Sequence, residues 1–482
     1  MKERTNLTML CDYYELTMGN GYFQTGLSSR VCYFDIFFRS VPDRGGFAIA
    51  AGLAQVIEYI KKLRFDEDDL DYLRQKGCFA GDFLAYLRDF KFTGDIWAMP
   101  EGTPIFPGEP IMTVRAPAIQ AQFIETFLLL CLNHQCLIAT KSNRIVRAAE
   151  GRPVAEFGSR RAHGPDGAVL GARASYIAGC SSTACTLADQ RYGSPATGTM
   201  AHSWVQMFPD EYTAFKTYCE LYPTNATLLV DTYNVLHSGV PNAIRVFQEV
   251  LLPKGITKCA IRLDSGDLTY LSQRARQMLD DAGLTECKIV ASNALDEYII
   301  RDLVRQGARI DSFGVGERLI TSRSEPVFGG VYKLSAIEDD EGTIIPKIKI
   351  SENAAKITTP HFKKVYRIFS KDTGKAEADL ICLHDEEIDF SQPLELFDPN
   401  ATWKRKIFTD IEAKELLVPI FQNGELVYEI PDLQSSRAYC QRQVDALWDE
   451  VKRFENPHNY YVDLSQKLFD IKQDLLNRHE GV

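Results

Sequence analysis

The sequence contains no CxxC pair and no grouping of cysteine with histidine at zinc-ligand spacing, although twelve of its 482 residues are cysteines. The most closely spaced cysteines, Cys131/Cys136 and Cys180/Cys185, lie among apolar or small residues. This pattern is typical of reduced, buried thiols in a cytoplasmic protein. It argues against a disulfide framework and against a structural zinc site, and it predicts a cytoplasmic location.

Long apolar runs and positive charge are also scarce. The most apolar helix candidate, residues 123–132 (FIETFLLLCL), is too short to cross a bilayer, and residues 1–23 lack the apolar core of a signal peptide. The net charge of −11 argues against a general nucleic-acid binder. We therefore expect neither a membrane nor a nucleic acid as a partner. An anionic substrate would need a local cluster of Arg, Lys and backbone N–H groups.

The middle of the chain alternates short apolar segments with amphipathic helices. This alternation predicts an α/β fold, namely an irregular parallel α/β barrel with a flanking α+β domain built from the N-terminal and part of the C-terminal region. The predicted strands are PVAEF, ATGTM, TLLVD, CAIRLD, KIVAS, RIDSF and GGVYKL. The predicted domains are an N-terminal α+β domain at 1–117, the barrel with the active site at 118–335 and a C-terminal α+β region at 336–482.

Polar clusters follow the predicted strands rather than being spread evenly. Because the carboxyl ends of parallel strands open on one face of a barrel, these clusters predict an active site on that face. Gly314 and Gly316 are expected in a tight turn that opens a helix, where backbone N–H groups can hold a phosphate. The clusters are EFGSRRAHG, GTMAHSW, VDTYN, RLDSGD, ASNALDE and FGVGERL.

Charged residues in the clusters suggest a phosphorylated ligand and a metal ion. Arg160 and Arg161 offer donors for phosphate oxygens, although an arginine pair also forms surface salt bridges. Asp231, Asp264 and Asp267 could bind Mg²⁺ or sugar hydroxyls, whereas each acid alone is more often a helix cap or turn former. Together they favour a phosphorylated sugar or a nucleotide with a metal.

The clusters belong to strings that resemble nicotinate phosphoribosyltransferase, from about residue 6 to beyond residue 335. The strings are LCDYYELTM near the start, EFGSRRAHGPDGA, GTMAHSW, DTYN, IRLDSGDL and DSFGVGERLITS. The resemblance implies a type II phosphoribosyltransferase barrel, usually dimeric with active sites shared between subunits. It also implies the first step of NAD salvage, in which nicotinate, phosphoribosyl pyrophosphate, ATP and water give nicotinate mononucleotide, pyrophosphate, ADP and phosphate.

The resemblance assigns roles to individual residues. His202, predicted at the end of the ATGTM strand, matches the histidine that ATP phosphorylates, although an arbitrary histidine more often packs or hydrogen-bonds. Tyr14, from the partner subunit, and Phe157 match the rings on either side of the pyridine, and Arg160 resembles a phosphate ligand. Expected catalytic residues are His202, Asp264 and Arg262, and the expected Mg²⁺ ligands are Asp231 and Asp264. Expected substrate-binding residues are Tyr14, Phe157, Arg160, Ser181, Thr199, Asp231, Ser265, Gly266, Asn293, Gly314, Gly316 and Thr321.

Two alternatives remain open at this point. The related enzyme that uses nicotinamide carries an acid two residues after a glycine, where this chain has Ser181; a hydroxyl can donate to the carboxylate of nicotinate, whereas an ionised acid repels it. A non-catalytic nucleotide-binding barrel is the second alternative, but it would not need both the acids and His202.

The chain departs from the family pattern at one place. Ser292 and Asn293 stand where a glycine–acid pair that contacts the ribose is common in the wider group.

Overall fold

The structure is a computed structural model, and it describes residues 6–353, 356–399 and 401–478. Within these residues the helices are α1 (Tyr13–Gln24), α2 (Leu53–Lys62), α3 (Glu67–Gln75), α4 (Gly81–Arg88), α5 (Ala118–Phe123), α6 (Glu125–Ala148), α7 (Gly164–Ile177), α8 (Thr186–Tyr192), α9 (His202–Gln206), α10 (Glu211–Leu221), α11 (Val240–Val246), α12 (Leu268–Asp281), α13 (Glu297–Arg305), α14 (Glu317–Ile320), α15 (Leu433–Asp445) and α16 (Gln466–Arg478).

The strands of the same described residues are β1 (Val31–Phe37), β2 (Ala48–Ile49), β3 (Asp95–Ala98), β4 (Pro104–Ile105), β5 (Met112–Pro117), β6 (Val154–Glu156), β7 (Ser182–Thr183), β8 (Thr227–Leu229), β9 (Ala260–Leu263), β10 (Lys288–Asn293), β11 (Ser312–Val315), β12 (Val331–Glu338), β13 (Ile344–Pro346), β14 (Lys363–Ser370), β15 (Ala376–Leu383), β16 (Leu394–Asp398), β17 (Ala401–Phe408), β18 (Ile411–Glu415), β19 (Val418–Gln422), β20 (Glu425–Leu426) and β21 (Tyr461–Leu464).

The described chain divides into two compact units. Unit 1 comprises described residues of 1–137 and 327–482, and unit 2 comprises 138–326. The chain passes from unit 1 to unit 2 within α6 and returns after Pro326. The three domains proposed from the sequence have their boundaries at 117/118 and 335/336, and that division stays a prediction.

Unit 2 is built on a six-stranded parallel sheet in the order β7-β6-β11-β10-β9-β8. Its strands are short, and their apolar residues such as Ile261, Ile289 and Phe313 are almost completely buried, as expected when helices cover a parallel sheet. No ladder joins β7 to β8 among the described residues, so the barrel is irregular. The predicted α/β fold class is confirmed.

Unit 1 contains the antiparallel sheets. A seven-stranded sheet runs β13-β12-β1-β5-β3-β19-β20, and a four-stranded sheet runs β18-β14-β15-β21. Strand β21 pairs parallel with β15, whereas the β14 pairs are antiparallel. One large apolar cluster joins the N-terminal helices to these strands, with Val56, Ile96, Val114 and Ile420 fully buried. N-terminal and C-terminal segments therefore share one core.

Two of the predicted barrel strands are wrong in the structure. Residues 196–200 (ATGTM) form only an isolated bridge, Ala196 to Thr183, and no regular strand. Strand β12 exists where GGVYKL predicts it, but it pairs antiparallel with β1 in unit 1. The composition of residues 196–200 is compatible with a strand, but most of their side chains are small and offer little surface for packing.

One helical stretch, residues 118–148, is long and apolar enough to cross a membrane by length and composition. The expectation that this helix is too short to cross a bilayer is therefore wrong, because the helical stretch has 31 residues and extends well beyond 123–132. Of the most apolar 18-residue segment of this stretch, 67% is buried within the protein. This burial is what a core helix of a soluble enzyme shows. The twelve cysteines form no disulfide, and ten of them are buried.

Candidate active site

The carboxyl ends of neighbouring strands in unit 2 bring Asp231, Arg262, Asp264 and Ser265 together. Strands β8 and β9 pair in parallel with Leu229 opposite Arg262, so the residues that follow them emerge side by side. Oδ2 of Asp231 accepts hydrogen bonds from the backbone N–H of Asp264 (3.2 Å) and from the Ser265 hydroxyl (2.5 Å). The guanidinium of Arg262 donates to Oδ1 of Asp264 at 2.9 Å. These four predicted residues therefore form one connected group.

His202 lies beside this group. It is the first residue of α9, not the end of a strand as predicted, because residues 197–201 have no regular structure. One ring nitrogen, Nδ1, lies 3.1 Å from Oγ1 of Thr232, and the other, Nε2, lies 3.9 Å from Oδ2 of Asp264. Its side chain is 42% exposed, so the ring is held at one side and open to solvent at the other. Thr199 joins the group by accepting a hydrogen bond of 3.1 Å from Arg262.

Phe157 follows β6 and packs against a glycine of the adjacent strand. A Cβ atom on Gly314 would lie 2.4 Å from Cδ2 of the Phe157 ring, so only glycine leaves room for the ring there. A Cβ on Gly316 would lie 3.2 Å from the carbonyl oxygen of Phe157. The guanidinium of Arg262 lies 5.7 Å from the ring centroid, within the range of a cation–π contact.

The predicted turn containing both glycines is wrong in part. Gly314 lies inside β11, and only Gly316 lies at the start of a helix, the four-residue α14. A helix of one turn adds little dipole, so any phosphate here would depend on individual backbone N–H groups. Thr321 ends α14, where its hydroxyl donates to the carbonyl of Glu317 at 2.7 Å.

The turn after Phe157 carries Arg160 and Arg161. Both side chains are exposed on a single 3₁₀ turn, Ser159–Arg161. The Ser159 hydroxyl is buried and has no hydrogen-bond partner among the described residues. An unsatisfied hydroxyl next to two guanidinium groups is suited to an anionic oxygen.

Three further predicted residues lie at strand ends or loops without joining the connected group. Asn293 ends β10 with φ at +143°, a value that L residues rarely adopt, and its exposed side chain accepts from the N–H of Ala294. Backbone strain of this kind is concentrated at functional sites. Gly266 has φ at +81° in the loop before α12, where a side chain would be strained. Asp267 caps α12 by accepting from the N–H of Tyr270 at 2.9 Å, so the structure gives it the role of a helix cap.

Ser181 is placed differently from the other predicted residues. Its N–H and its hydroxyl both donate to the carbonyl of Val154, at 2.8 and 3.1 Å. Since β6 and β7 pair with Ala155 opposite Ser182, Ser181 lies at the level of Val154, three residues before Phe157. That separation is about 10 Å along the strand direction. Ser181 therefore lies toward the amino end of the sheet.

Tyr14 belongs to unit 1, on α1. Its ring is 42% exposed, and burial of the phenol together with the neighbouring Glu125 carboxyl raises the pKa of Tyr14. Met18, one turn further along α1, is 36% exposed on the same side of the helix. An exposed aromatic and an exposed methionine at four-residue spacing form an apolar strip.

The structure adds residues that the sequence patterns did not select. Thr232 contacts His202, and Ser292 hydrogen-bonds both Arg262 and Asp264. Glu156 is the fully buried last residue of β6. Its carboxylate accepts hydrogen bonds from the N–H of Gly158 and the hydroxyl of Thr183, and burial raises the pKa of Glu156. Thr232 directly follows the predicted strand TLLVD and Ser292 is the last residue of the predicted strand KIVAS, so their position was a usable signal.

A magnesium ion fits this donor set only with help from a substrate. Oδ1 of Asp231 is buried and has no hydrogen-bond partner among the described residues, although buried carboxylate oxygens are normally satisfied. The described residues contain no group of three or more His, Cys, Asp and Glu side chains that could hold a metal. Mg²⁺ commonly binds through one or two carboxylates together with water and substrate phosphates. Asp231 and Asp264 suit that arrangement.

Comparison with known proteins agrees with this chemistry. The N-terminal domain model of nicotinate phosphoribosyltransferase matches residues 9–133, and the C-terminal domain model matches residues 362–472. The chain is 44% identical over 472 residues to the nicotinate phosphoribosyltransferase of Bacillus subtilis, covering 98% of this chain and 96% of that protein. The chain belongs to the nicotinate phosphoribosyltransferase family.

Solved structures support the same assignment. The crystal structure of human nicotinic acid phosphoribosyltransferase matches 97% of this chain and 100% of that chain, with a TM-score of 0.84 and 28% identity. Nicotinate-nucleotide pyrophosphorylase from Pyrococcus furiosus shares the fold, with a TM-score of 0.70 at 24% identity. The predicted family, the enzyme class and phosphoribosyl transfer to nicotinate in NAD salvage are confirmed. The family assignment therefore favours the nicotinate enzyme over the two alternatives, the nicotinamide enzyme and the non-catalytic barrel.

Proposed function

We propose that this chain couples the transfer of phosphoribose from phosphoribosyl pyrophosphate to nicotinate with hydrolysis of ATP, through phosphorylation of His202. The observation that carries the proposal is the position of His202. Its ring is anchored by Thr232, open to solvent, and 3.9 Å from Asp264 in the connected group. Neutral imidazole is a good nucleophile near neutral pH.

In the coupling step, an imidazole nitrogen forms a bond to the γ-phosphorus of ATP while the bond from that phosphorus to the bridging oxygen breaks, releasing ADP. Water later takes the phosphoryl group as inorganic phosphate and restores the imidazole. Joining nicotinate to ribose needs no group from His202. A bound Mg²⁺ would supply charge neutralisation at the departing pyrophosphate.

The other groups have separate proposed tasks. Asp231 and Asp264 hold Mg²⁺ or ribose hydroxyls through their free carboxylate oxygens. Arg160, next to the unsatisfied Ser159 hydroxyl, and the N–H groups near Gly316 bind phosphate oxygens. Arg262 lies close enough to the Phe157 ring to meet the carboxylate of a pyridine stacked on that ring. Ser265, Gly266, Asn293 and Thr321 line the same end of the sheet.

Product analysis tests the coupled reaction. The protein is incubated with phosphoribosyl pyrophosphate, Mg²⁺ and either nicotinate or nicotinamide, with and without ATP. We expect nicotinate mononucleotide as the product, slow formation without ATP, and ADP formed in step with the product when ATP is present. Formation of the nucleotide at the same rate with and without ATP would refute the proposed coupling.

We further propose that the enzyme is a homodimer in which Tyr14 of one subunit completes the site of the other. The exposed strip of Tyr14 and Met18 supports this arrangement. Tyr14→Ala should then raise the KM for nicotinate roughly tenfold, since stacking contributes about 0.5–1.5 kcal/mol beyond area burial, while the KM for ATP changes little. KM values from initial rates measure this effect.

Subunit mixing tests the sharing itself. Tyr14→Ala and Arg160→Ala proteins are mixed, dissociated and reassembled, and roughly a quarter of the sites in a two-fold symmetric mixture should be intact. A matched mixture of Phe157→Ala with Arg160→Ala carries both changes in the same part of the site and should recover nothing. No recovery in the first mixture would argue that each site lies within one subunit.

Base choice is proposed to depend on Ser181. Its hydroxyl donates to the Val154 carbonyl, about 10 Å from Phe157 along the strand direction, so contact with the carboxylate requires the base to extend toward the amino end of the sheet. Ser181→Asp should lower kcat/KM for nicotinate more than tenfold and raise the ratio of nicotinamide to nicotinate use, because it opposes two negative charges. Ser181→Asn, which has the same shape without the charge, isolates the charge effect. An Asp variant with wild-type kcat/KM for nicotinate would place Ser181 away from the carboxyl group.

We also propose a cytoplasmic location, which the absence of disulfides among the twelve mainly buried cysteines supports.

A further inference from the structure

Ser292 links the two central side chains of the connected group. It is 3% exposed near the end of β10, and its hydroxyl accepts a hydrogen bond of 2.7 Å from Nε of Arg262. The same hydroxyl donates to Oδ1 of Asp264. Nη2 of Arg262 donates to that same oxygen at 2.9 Å. Arg262, Asp264 and Ser292 thus form a closed ring of three hydrogen bonds.

This ring differs from the usual pairing of arginine with a carboxylate. Two N–H groups of a guanidinium commonly bind the two oxygens of one carboxylate in parallel. Here Nη2 of Arg262 binds Oδ1 of Asp264, but the place next to Nε is occupied by the Ser292 hydroxyl. The second oxygen of Asp264 is therefore not engaged by Arg262.

The freed oxygen, Oδ2 of Asp264, faces the reactive part of the site. It lies 3.9 Å from Nε2 of His202. The Asp264 side chain is 32% exposed, whereas that of Arg262 is only 14% exposed, so the carboxylate is the more accessible member of the pair.

We propose that Ser292 is a positioning residue that keeps Oδ2 of Asp264 available to substrate by taking the place at Nε of Arg262 that this oxygen would otherwise fill. The proposal rests on the role proposed above for Asp264. Without the hydroxyl, Arg262 closes on both oxygens of Asp264, and the carboxylate turns away from His202 and from the ribose and pyrophosphate. Ser292 itself touches no reacting atom.

Substitution of Ser292 tests this role. Ser292→Ala should lower kcat/KM for phosphoribosyl pyrophosphate at least tenfold, whereas Ser292→Thr keeps a hydroxyl and should restore most of the loss. Ser272→Ala is the matched control, because Ser272 is a fully buried serine on α12 whose hydroxyl donates to Thr269 and accepts from the N–H of Arg309. It should keep wild-type kinetics. Thermal unfolding of all three variants shows whether each is folded.

A double-mutant cycle separates positioning from a merely structural effect. In an Asp264→Asn background the carboxamide presents one oxygen only, so Arg262 cannot close on it as it does on a carboxylate. Adding Ser292→Ala should then cause less than a twofold further loss. Radiolabelled nicotinate keeps the weak activity of the Asp264→Asn protein measurable.

The outcomes distinguish this inference from the proposed function. Equal losses from Ser292→Ala in both backgrounds would overturn positioning, and so would wild-type kinetics of Ser292→Ala beside an impaired Asp264→Asn protein. Wild-type activity of Asp264→Asn would overturn the role of Asp264 and the inference with it. Loss only in the wild-type background, with rescue by threonine, supports the inference.

Discussion

Replacing His202 by asparagine should abolish ATP hydrolysis and its stimulation of the reaction, yet leave slow, ATP-independent synthesis of nicotinate mononucleotide. Asparagine approximates the position of Nδ1 and can keep a contact with Thr232, but it has no imidazole nitrogen to accept a phosphoryl group. The base-joining step depends instead on charge stabilisation at the departing pyrophosphate by groups other than His202. Initial rates of ADP and of nucleotide formation, measured in parallel, give both quantities.

His163 and His237 supply the control for this substitution. Both are exposed histidines of unit 2, and neither has a predicted role. Asparagine at either position should leave the ratio of ADP to nucleotide unchanged. A His202→Asn protein that is still stimulated by ATP would refute the coupling role, and one without residual synthesis would mean that His202 also acts in base joining.

Replacing Gly314 by alanine should impair nicotinate use strongly. The added Cβ would lie 2.4 and 2.6 Å from two atoms of the Phe157 ring, so the ring must move from the position at which it faces Arg262. Overpacking of this kind costs about 1–3 kcal/mol, and we expect kcat/KM for nicotinate to fall roughly tenfold to a hundredfold. The KM for ATP should change much less.

The matched control is Gly81→Ala. Gly81 begins α4 in unit 1 with a φ that any residue adopts, and a Cβ there meets no atom within 4 Å. It should have wild-type kinetics. If Gly314→Ala also has a wild-type KM for nicotinate, then the position of the Phe157 ring does not limit binding of the base.

The sequence allowed prediction of those parts of the fold that depend on strong local patterns. Strands β8, β9 and β10 each contain buried apolar residues and lie directly before or at a polar cluster, and the sequence predicts all three with nearly the observed bounds. Strand β7 has only two residues, too few to show a periodic pattern. Strand β12 has the same local pattern as a barrel strand. The sequence could not show that it pairs with β1 in unit 1, because that pairing depends on residues far away in the chain.

The same distinction applies to the active site. Asp231, Arg262 and Asp264 could be predicted because they lie at or just after the carboxyl ends of two strands that are side by side, and their contacts show that they meet. Ser292 could not be given its linking role, because the ring of hydrogen bonds depends on side-chain orientation. Gly314 was expected in a phosphate turn, but its position is explained by the Phe157 ring on the neighbouring strand.

Direct identification of the phosphorylated residue tests the coupling role of His202 most closely. The enzyme is incubated with ATP labelled at the γ-phosphate, digested at alkaline pH, and its peptides are mapped by mass spectrometry. We expect a single acid-labile, base-stable phosphate on the peptide that contains His202, and this phosphate should disappear when nicotinate and phosphoribosyl pyrophosphate are added. Label on a different residue, or continued ADP formation with no phosphate on the protein, would contradict it.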